Sequence, residues 1–263
     1  MENKVTAVYG SPESGKTVTA VKIAKALADQ KQNVMVVSCD DQVPLIPLLL
    51  PDIQDAPSLG SVLAADQLSQ IDILRHCVPY GKNPYISLLG YGRGENIMSY
   101  PEYGFQRASE LIGALCRFED NYVLVDCSSS LDNYLTAAAL KQAGVTLRVL
   151  NADPKSLLYF QSAAPLLRRS PEYRYDRQVC ILNNVLPSQD TGPARELAGE
   201  IPYILPAVPE LKEQYDSARL LDTVFGRTAR QYTMEIKKLV KEVLTGEPEH
   251  GIVRRRKEAD TVS

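Results

Sequence analysis

The chain has 263 residues, 44% of them hydrophobic and 23% charged, a globular composition that excludes disordered and collagen-like architectures and suffices for one large core or two modest ones. Its 29 Lys+Arg against 32 Asp+Glu give a net charge of −3, and the body ahead of His250 carries 25 against 30, too acidic for a general binder of phosphate backbones. Only two His, at 76 and 250, leave almost no material for a His-rich metal site or a Ser-His-Asp triad, and five Cys (39, 77, 116, 127 and 180) without CxxC spacing read as reduced structural thiols.

Short apolar runs rich in β-branched residues recur along the chain. Val5–Tyr9 reads as the first strand, and the helical pattern Thr17–Gln30 follows it. Glu2, Asn3 and Lys4 precede a run too short for a signal-peptide core, and Val43–Leu50 is broken by Pro44 and Pro47, so the expected location is the cytoplasm. Val34–Ser38 is the second strand, then a Pro-rich stretch, Asp41–Pro57, is expected to be a long loop. A helix at Leu59–Ala65, a strand at Tyr85–Leu89 and a Gly/Tyr-rich loop within Tyr80–Phe105 come next. The remaining expectations alternate: helix Phe105–Phe118, strand Tyr122–Asp126, helix Leu131–Gln142, strand Thr146–Leu150, helix Ser156–Leu167, strand Val179–Leu182, helix Ala194–Gly199, strand Tyr203–Val208 and a last helix over Ala229–Leu244. Such alternation predicts an α/β, doubly wound, mostly parallel sheet of about seven strands with helices on both faces. The unbroken apolar runs Val34–Val37 and Tyr122–Val125 fit strands covered on both sides. Residues 1–246 read as one nucleotide-binding domain and 247–263 as a flexible basic tail.

The chemistry is concentrated directly after the first strand, in Gly10-Ser11-Pro12-Glu13-Ser14-Gly15-Lys16-Thr17, a complete G-x-x-x-x-G-K-[ST] motif that opens into a helix at Val18. Such a loop turns backbone N–H groups inward around phosphates and points a helix N-terminus at the same anion. In that arrangement Lys16 reaches the β- and γ-phosphates and the Thr17 hydroxyl binds Mg²⁺. Carboxylates at other strand ends complete the set, because ligands of doubly wound sheets collect there. Asp126 closes the run Tyr122–Val125 as a candidate Mg²⁺ ligand, and Asp40 is placed to position or deprotonate an attacking water, with Asp41 left as a cap.

Together these segments resemble the MinD/ParA-type ATPases, including a CpaE-like pilus-assembly branch, in order over roughly residues 1–245: the P-loop, Ser38-Cys39-Asp40, Val123 to Ser128, and Leu150-Asn-Ala-Asp-Pro154-Lys155-Ser156. The resemblance implies an ATP-binding, ATP-hydrolysing switch that uses Mg²⁺ and localises or regulates a cellular assembly. It further implies an adenine-reading role for Asn183 in Ile181-Leu182-Asn183-Asn184, a place beside the base for Pro209, and a γ-phosphate-sensing loop at Ser128–Ser130. One departure stands out. The family's second P-loop lysine, which reaches across an ATP-sandwiched dimer, is replaced here by Ser11, so no charge from this position acts in trans. Nucleotide-dependent homodimerisation and rapid turnover are therefore weaker implications than the fold. Two other readings follow: a nucleotide-sensing or non-catalytic scaffold acting on a protein partner through the Tyr-rich loop, and a small-molecule P-loop kinase, which lacks an evident Arg-rich lid and has Arg168-Arg169 after a helix as a candidate for one. Arg254-Arg255-Arg256-Lys257 offers contact with an anionic surface, though without an amphipathic face.

Overall fold

The computed structural model describes residues 3–169, 173 and 177–246. The basic tail, including Arg254–Lys257, lies outside them. β1 (Val5–Gly10) leads into α1 (Lys16–Ala28) and β2 (Asn33–Ser38). Short helices α2 (Leu45–Leu49), α3 (Leu59–Ala64) and α4 (Gln70–Arg75) precede β3 (Val78–Pro79) and β4 (Ile86–Leu89). Then α5 (Phe105–Leu115), β5 (Asn121–Asp126), α6 (Tyr134–Gln142), β6 (Val145–Leu150) and α7 (Pro154–Arg169) alternate. The described chain finishes with β7 (Gln178–Val185), α8 (Gly192–Ala198), β8 (Tyr203–Pro206), α9 (Pro209–Asp216) and α10 (Arg227–Leu239), the last running into a π turn over Val240–Leu244. No described helix is long and apolar enough to cross a membrane.

The strands form one eight-stranded sheet in the order β3-β4-β2-β5-β1-β6-β7-β8, parallel except for β3 against β4. Eight strands replace the expected seven because β3 is only two residues long and pairs antiparallel, too short to leave a periodic signal. Three further differences have local causes. The Pro-rich stretch is not all loop: Leu45 and Leu49 of α2 pack into the core on the sheet, Ile46 is buried as well, and packing overrides the helix's weak propensity. The six-residue α4 starts after Ser69, whose side chain caps it by accepting the Asp72 amide. The strand expected through Val208 stops at Pro206, because Pro209 opens α9 at a position that suits proline.

Alternation along the central strands splits their side chains between two cores. Ala7, Tyr9, Val37, Val123 and Val125 pack on one face with α5, α6 and α7, while Val8, Val36, Leu124, Leu147 and Val149 pack on the other with α1, α9 and α10. Both faces are covered, as the unbroken apolar runs require. The Tyr-rich segment packs over the first core: Tyr91 and Tyr103 are buried, and Tyr91 meets Tyr100 with ring centroids 6.2 Å apart. Arg93 is tied by its guanidinium to the Pro51 carbonyl at 2.7 Å.

One charged side chain is built into the second core. Lys22 on α1 donates to Gln214 Oε1 at 2.6 Å, to the Leu220 carbonyl at 2.5 Å and to the Asp222 carbonyl at 2.9 Å. It thereby fixes the connection between α9 and α10 onto α1. Burial pulls its ammonium down to about 8.

Candidate functional site at the carboxyl end of the sheet

The strand order puts β1 between β5 and β6, so the loop after β1 lies where the chain switches from building one side of the sheet to the other, the place where open α/β sheets bind ligands. Register fixes its neighbours: Val8 lies opposite Asp126, Ser38 opposite Asp126 from the other side, and Gly10 opposite Val149.

Glycine is required at both ends of the loop. A Cβ on Gly10 would stand 2.3 Å from the Val149 carbonyl, and one on Gly15 would stand 2.4 Å from the Asn183 amide nitrogen. Gly15 also has φ +84° and serves as the N-cap of α1 without any side chain on the helix amides. The free N–H groups of the first turn of α1 are thus left to a ligand. Between the glycines, Ser11 and Ser14 are buried while Pro12 and Glu13 form the exposed tip, with Glu13 at φ +63°. Ser14 folds the loop back on itself, its hydroxyl donating to the Ser11 carbonyl at 2.9 Å.

Lys16 and Thr17 lead α1 towards β5. Lys16 Nζ donates to the Ser11 carbonyl at 3.0 Å and to Ser129 Oγ at 2.6 Å. Burial lowers the pKa of this ammonium, and the negative field of Asp126 opposes that fall. The Thr17 hydroxyl donates to Asp126 Oδ2 at 2.6 Å. Asp126 is 5% exposed, and its other oxygen, Oδ1, is buried with no hydrogen-bond partner. Burial pushes this carboxyl up to about 6, against the pull of Thr17 and Lys16. A paired hydroxyl and an orphaned carboxylate oxygen at the mouth of a phosphate loop form an oxygen donor set that fits Mg²⁺.

Ser129 carries the arrangement outward. Its carbonyl accepts from Tyr159 OH of α7 at 2.5 Å, and Tyr159 OH in turn accepts from Tyr9 OH at 2.5 Å. Burial raises the pKa of both phenols, Tyr159 to about 12, so both remain donors through the neutral range.

Five residues that the sequence singled out by different reasoning are placed as follows. Asn183, near the end of β7, donates from Nδ2 to the Ser14 carbonyl at 2.8 Å, so its amide braces the P-loop. Asp40, after β2, is exposed and accepts the Gln42 and Val43 amides on one oxygen, Oδ1, at 3.0 and 2.9 Å. It is close enough for its charge to act on both Lys16 and Asp126. Pro209 stands at the first position of α9, after β8. Val18 continues the first turn of α1, packed against the second core. Asp41 is not a cap itself; its Oδ2 accepts from Asn133 Nδ2 at 3.2 Å, and Asn133 caps α6 through the Thr136 amide and holds the Cys39 carbonyl.

The structure adds contacts on the far side of the loop. Ser11 Oγ donates to Ser156 Oγ on α7 at 3.0 Å, Asn151 Nδ2 donates to the Glu13 carbonyl at 3.4 Å, and Lys155 Nζ pairs with Glu13 Oε2 at 2.6 Å. The α7 start is ordered by Asp153, whose Oδ1 accepts the Ser156 amide at 2.9 Å. Only the order Asp-Pro-Lys-Ser hinted at this cap in the sequence; the strap onto the P-loop left no signal there.

Comparison with known proteins gives the same frame. No curated protein sequence matches the chain. Among solved structures it is similar to a ParA family ATPase from Chlorobium tepidum TLS, at 17% identity and TM-score 0.73 over 89% of this chain and 96% of that one. It is also similar to a chain of the MinC:MinD cell division protein complex of Aquifex aeolicus, at 18% identity and TM-score 0.72 over 95% of this chain and 98% of that one. A third is the septum site-determining protein MinD in complex with Mg-ADP from Pyrococcus horikoshii OT3, at 18% identity and TM-score 0.68 over 92% and 96%. At these identities the likeness concerns the fold. The family described as the CobQ/CobB/MinD/ParA nucleotide binding domain matches residues 5–260, and the chain belongs to it.

Proposed function

We propose that this protein binds Mg·ATP at the Gly10–Thr17 loop, hydrolyses it slowly, and acts in the cytoplasm as a MinD/ParA-like switch that localises or regulates a cellular assembly through a protein partner. One observation carries the reading: Thr17 and Asp126 joined at 2.6 Å, with Asp126 Oδ1 orphaned, beside a half-buried lysine of a phosphate loop. An orphaned anionic oxygen is costly unless something binds there in the working state. Residues 1–246 form the nucleotide-binding domain in this reading, with 247–263 as its tail.

The phosphates bind the loop amides and the α1 N-terminus, while Lys16 exchanges Ser129 for the β- and γ-phosphate oxygens. Thr17 and Asp126 would hold Mg²⁺, which when bound neutralises charge developing on the phosphates. Asp40 has one carboxylate oxygen beyond its turn bonds with which to orient a water, and Asn183 and Pro209 flank the base side. Loss of Mg·ATP binding in Lys16→Ala is the expected result, and unchanged affinity in that variant would remove the proposal. Phosphate release should fall in Asp40→Ala; equal release would take Asp40 out of the mechanism.

A second reading, a nucleotide sensor without turnover, is favoured by the engagement of Asp40 Oδ1 with the Gln42 and Val43 amides and by the burial of Ser11 against Ser156. Turnover above background in the purified protein would exclude it.

A further inference from the structure

Segment Gly10–Thr17 contains one cation, Lys16, and one carboxylate, Glu13, so the loop itself has no net charge to offer a polyphosphate. Asp40 and Asp126 add further negative charge on the β2 and β5 side. Even with the Mg²⁺ that Thr17 and Asp126 would hold, a nucleoside triphosphate brings one more negative charge into this field than a diphosphate and gains more from a further cation.

The fold delivers one. Lys155 stands in the first turn of α7, and its ammonium reaches across to the loop tip at 2.6 Å from Glu13 Oε2. Both side chains face solvent, 59% and 81% exposed, so the pair contributes little to the fold and is free to exchange partners. The backbone around it behaves differently. Glu13 is held at φ +63°, its carbonyl is bonded to Asn151, and the neighbouring Ser11 is locked to Ser156. Asn151 also has a buried oxygen, Oδ1, without a partner. The strap therefore fixes the distance between the α7 start and the phosphate loop while leaving the lysine mobile on its stem.

We propose that Lys155 is a second phosphate-binding cation, held by Glu13 in the empty site and transferred to the terminal phosphate when a triphosphate binds, so that the Glu13–Lys155 pair sets the preference for triphosphate over diphosphate. The inference rests on the nucleotide-binding reading above. It supplies from within one chain a charge that Ser11 does not. Glu13 acts as the competitor: its carboxylate repels phosphate and retains the lysine, so only the more highly charged ligand displaces it. No covalent step is involved; an ion pair is exchanged for another.

The test is the ratio of ATP to ADP dissociation constants, measured by calorimetry with Mg²⁺ on the full chain, for wild type, Lys155→Ala, Lys155→Arg, Glu13→Gln and Lys16→Ala. Lys155→Ala is expected to weaken ATP about fivefold to tenfold and ADP less than twofold, corresponding to about 1 kcal/mol of discrimination. Lys155→Arg should restore most of the ratio, because the charge is kept. Glu13→Gln should strengthen both ligands and narrow the ratio. A Lys155→Ala variant that weakens ATP and ADP equally makes the pair a brace for the loop and overturns the inference, as does an unchanged ratio. If Lys16→Ala retains wild-type nucleotide affinity, the underlying site assignment fails instead, and the two failures are told apart. Circular dichroism of each variant identifies any that do not fold, and the charge-conserving Lys155→Arg with the near-isosteric Glu13→Gln keep the test decisive in that event.

Discussion

Asp126→Asn separates the needs of the empty fold from those of the ligand. Burial lifts the Asp126 carboxyl from 3.8 to about 6, so keeping it ionised at pH 7 costs the unliganded fold about 3 kcal/mol. Asparagine removes that cost and keeps an oxygen to accept the Thr17 hydroxyl, but it introduces an N–H₂ where Oδ1 now has no partner, a cost of about 1–3 kcal/mol. The balance is a gain of about 1 kcal/mol, or about 2–4 °C in Tm for a chain of this size. The sign of the pH dependence is fixed by the direction of the shift. Because the folded-state pKa lies above the unfolded one, the folded protein takes up the proton first, and the penalty is relieved as pH falls through about 6 towards 3.8. Between pH 7 and 5 the wild type should therefore regain about 1 kcal/mol relative to the variant. With Mg·ATP present the order reverses, since the variant lacks the anionic oxygen and gains less from the ligand. Urea unfolding at pH 7 and pH 5, with and without Mg·ATP, measures all three quantities. A variant less stable than wild type when empty, or one with the wild-type pH slope, would refute the claim that Asp126 is a strained carboxylate awaiting a cation.

Two other substitutions probe how the site is supported. Lys22→Met leaves three acceptors on the α9–α10 connection without their donor and should destabilise the fold by about 1–3 kcal/mol, read by urea unfolding. The wild-type penalty for burying this lysine is complete below pH 8 and relieved between about 8 and 10.5, so the stability difference from Lys22→Met should change across that window and be flat below it. Asn133→Ala removes the α6 cap and frees both the Cys39 carbonyl and Asp41. It should cost about 1–2 kcal/mol and increase hydrogen exchange at the Thr136 amide, whereas protection equal to wild type there would deny Asn133 the capping role.

The parts of this fold that sequence makes legible are those whose signal is local. β2 and β5 appear as unbroken apolar runs because both of their faces are buried, β1 and β6 as apolar runs interrupted by Thr6 and by Thr146 and Arg148, and the phosphate loop appears as a motif because glycine is sterically required at Gly10 and Gly15. β3 was illegible because two residues carry no period, and α2 because prolines conceal a helix that exists by virtue of packing. In the site, types and strand positions were readable but directions were not. Asp40 follows β2 by two residues, and one oxygen folds back onto its own turn. Asn183 lies two residues inside the end of its strand rather than just past it, and its amide nitrogen faces Ser14. The Glu13–Lys155 pair joins residues separated by 142 positions, and no local pattern encodes such a contact.

The central position of β1 also bears on how the protein comes into being. β1 is made first but pairs only with β5 and β6, and its loop is completed by residues far downstream: Thr17 meets Asp126 across 109 positions, and Ser14 meets Asn183 across 169. During synthesis the phosphate loop therefore has no partner until β5 has emerged, gains the strap from the α7 start only after β6, and gains its brace from Asn183 only with β7. A nascent chain cannot capture nucleotide early and use it as a template; the ligand can stabilise only a nearly finished sheet.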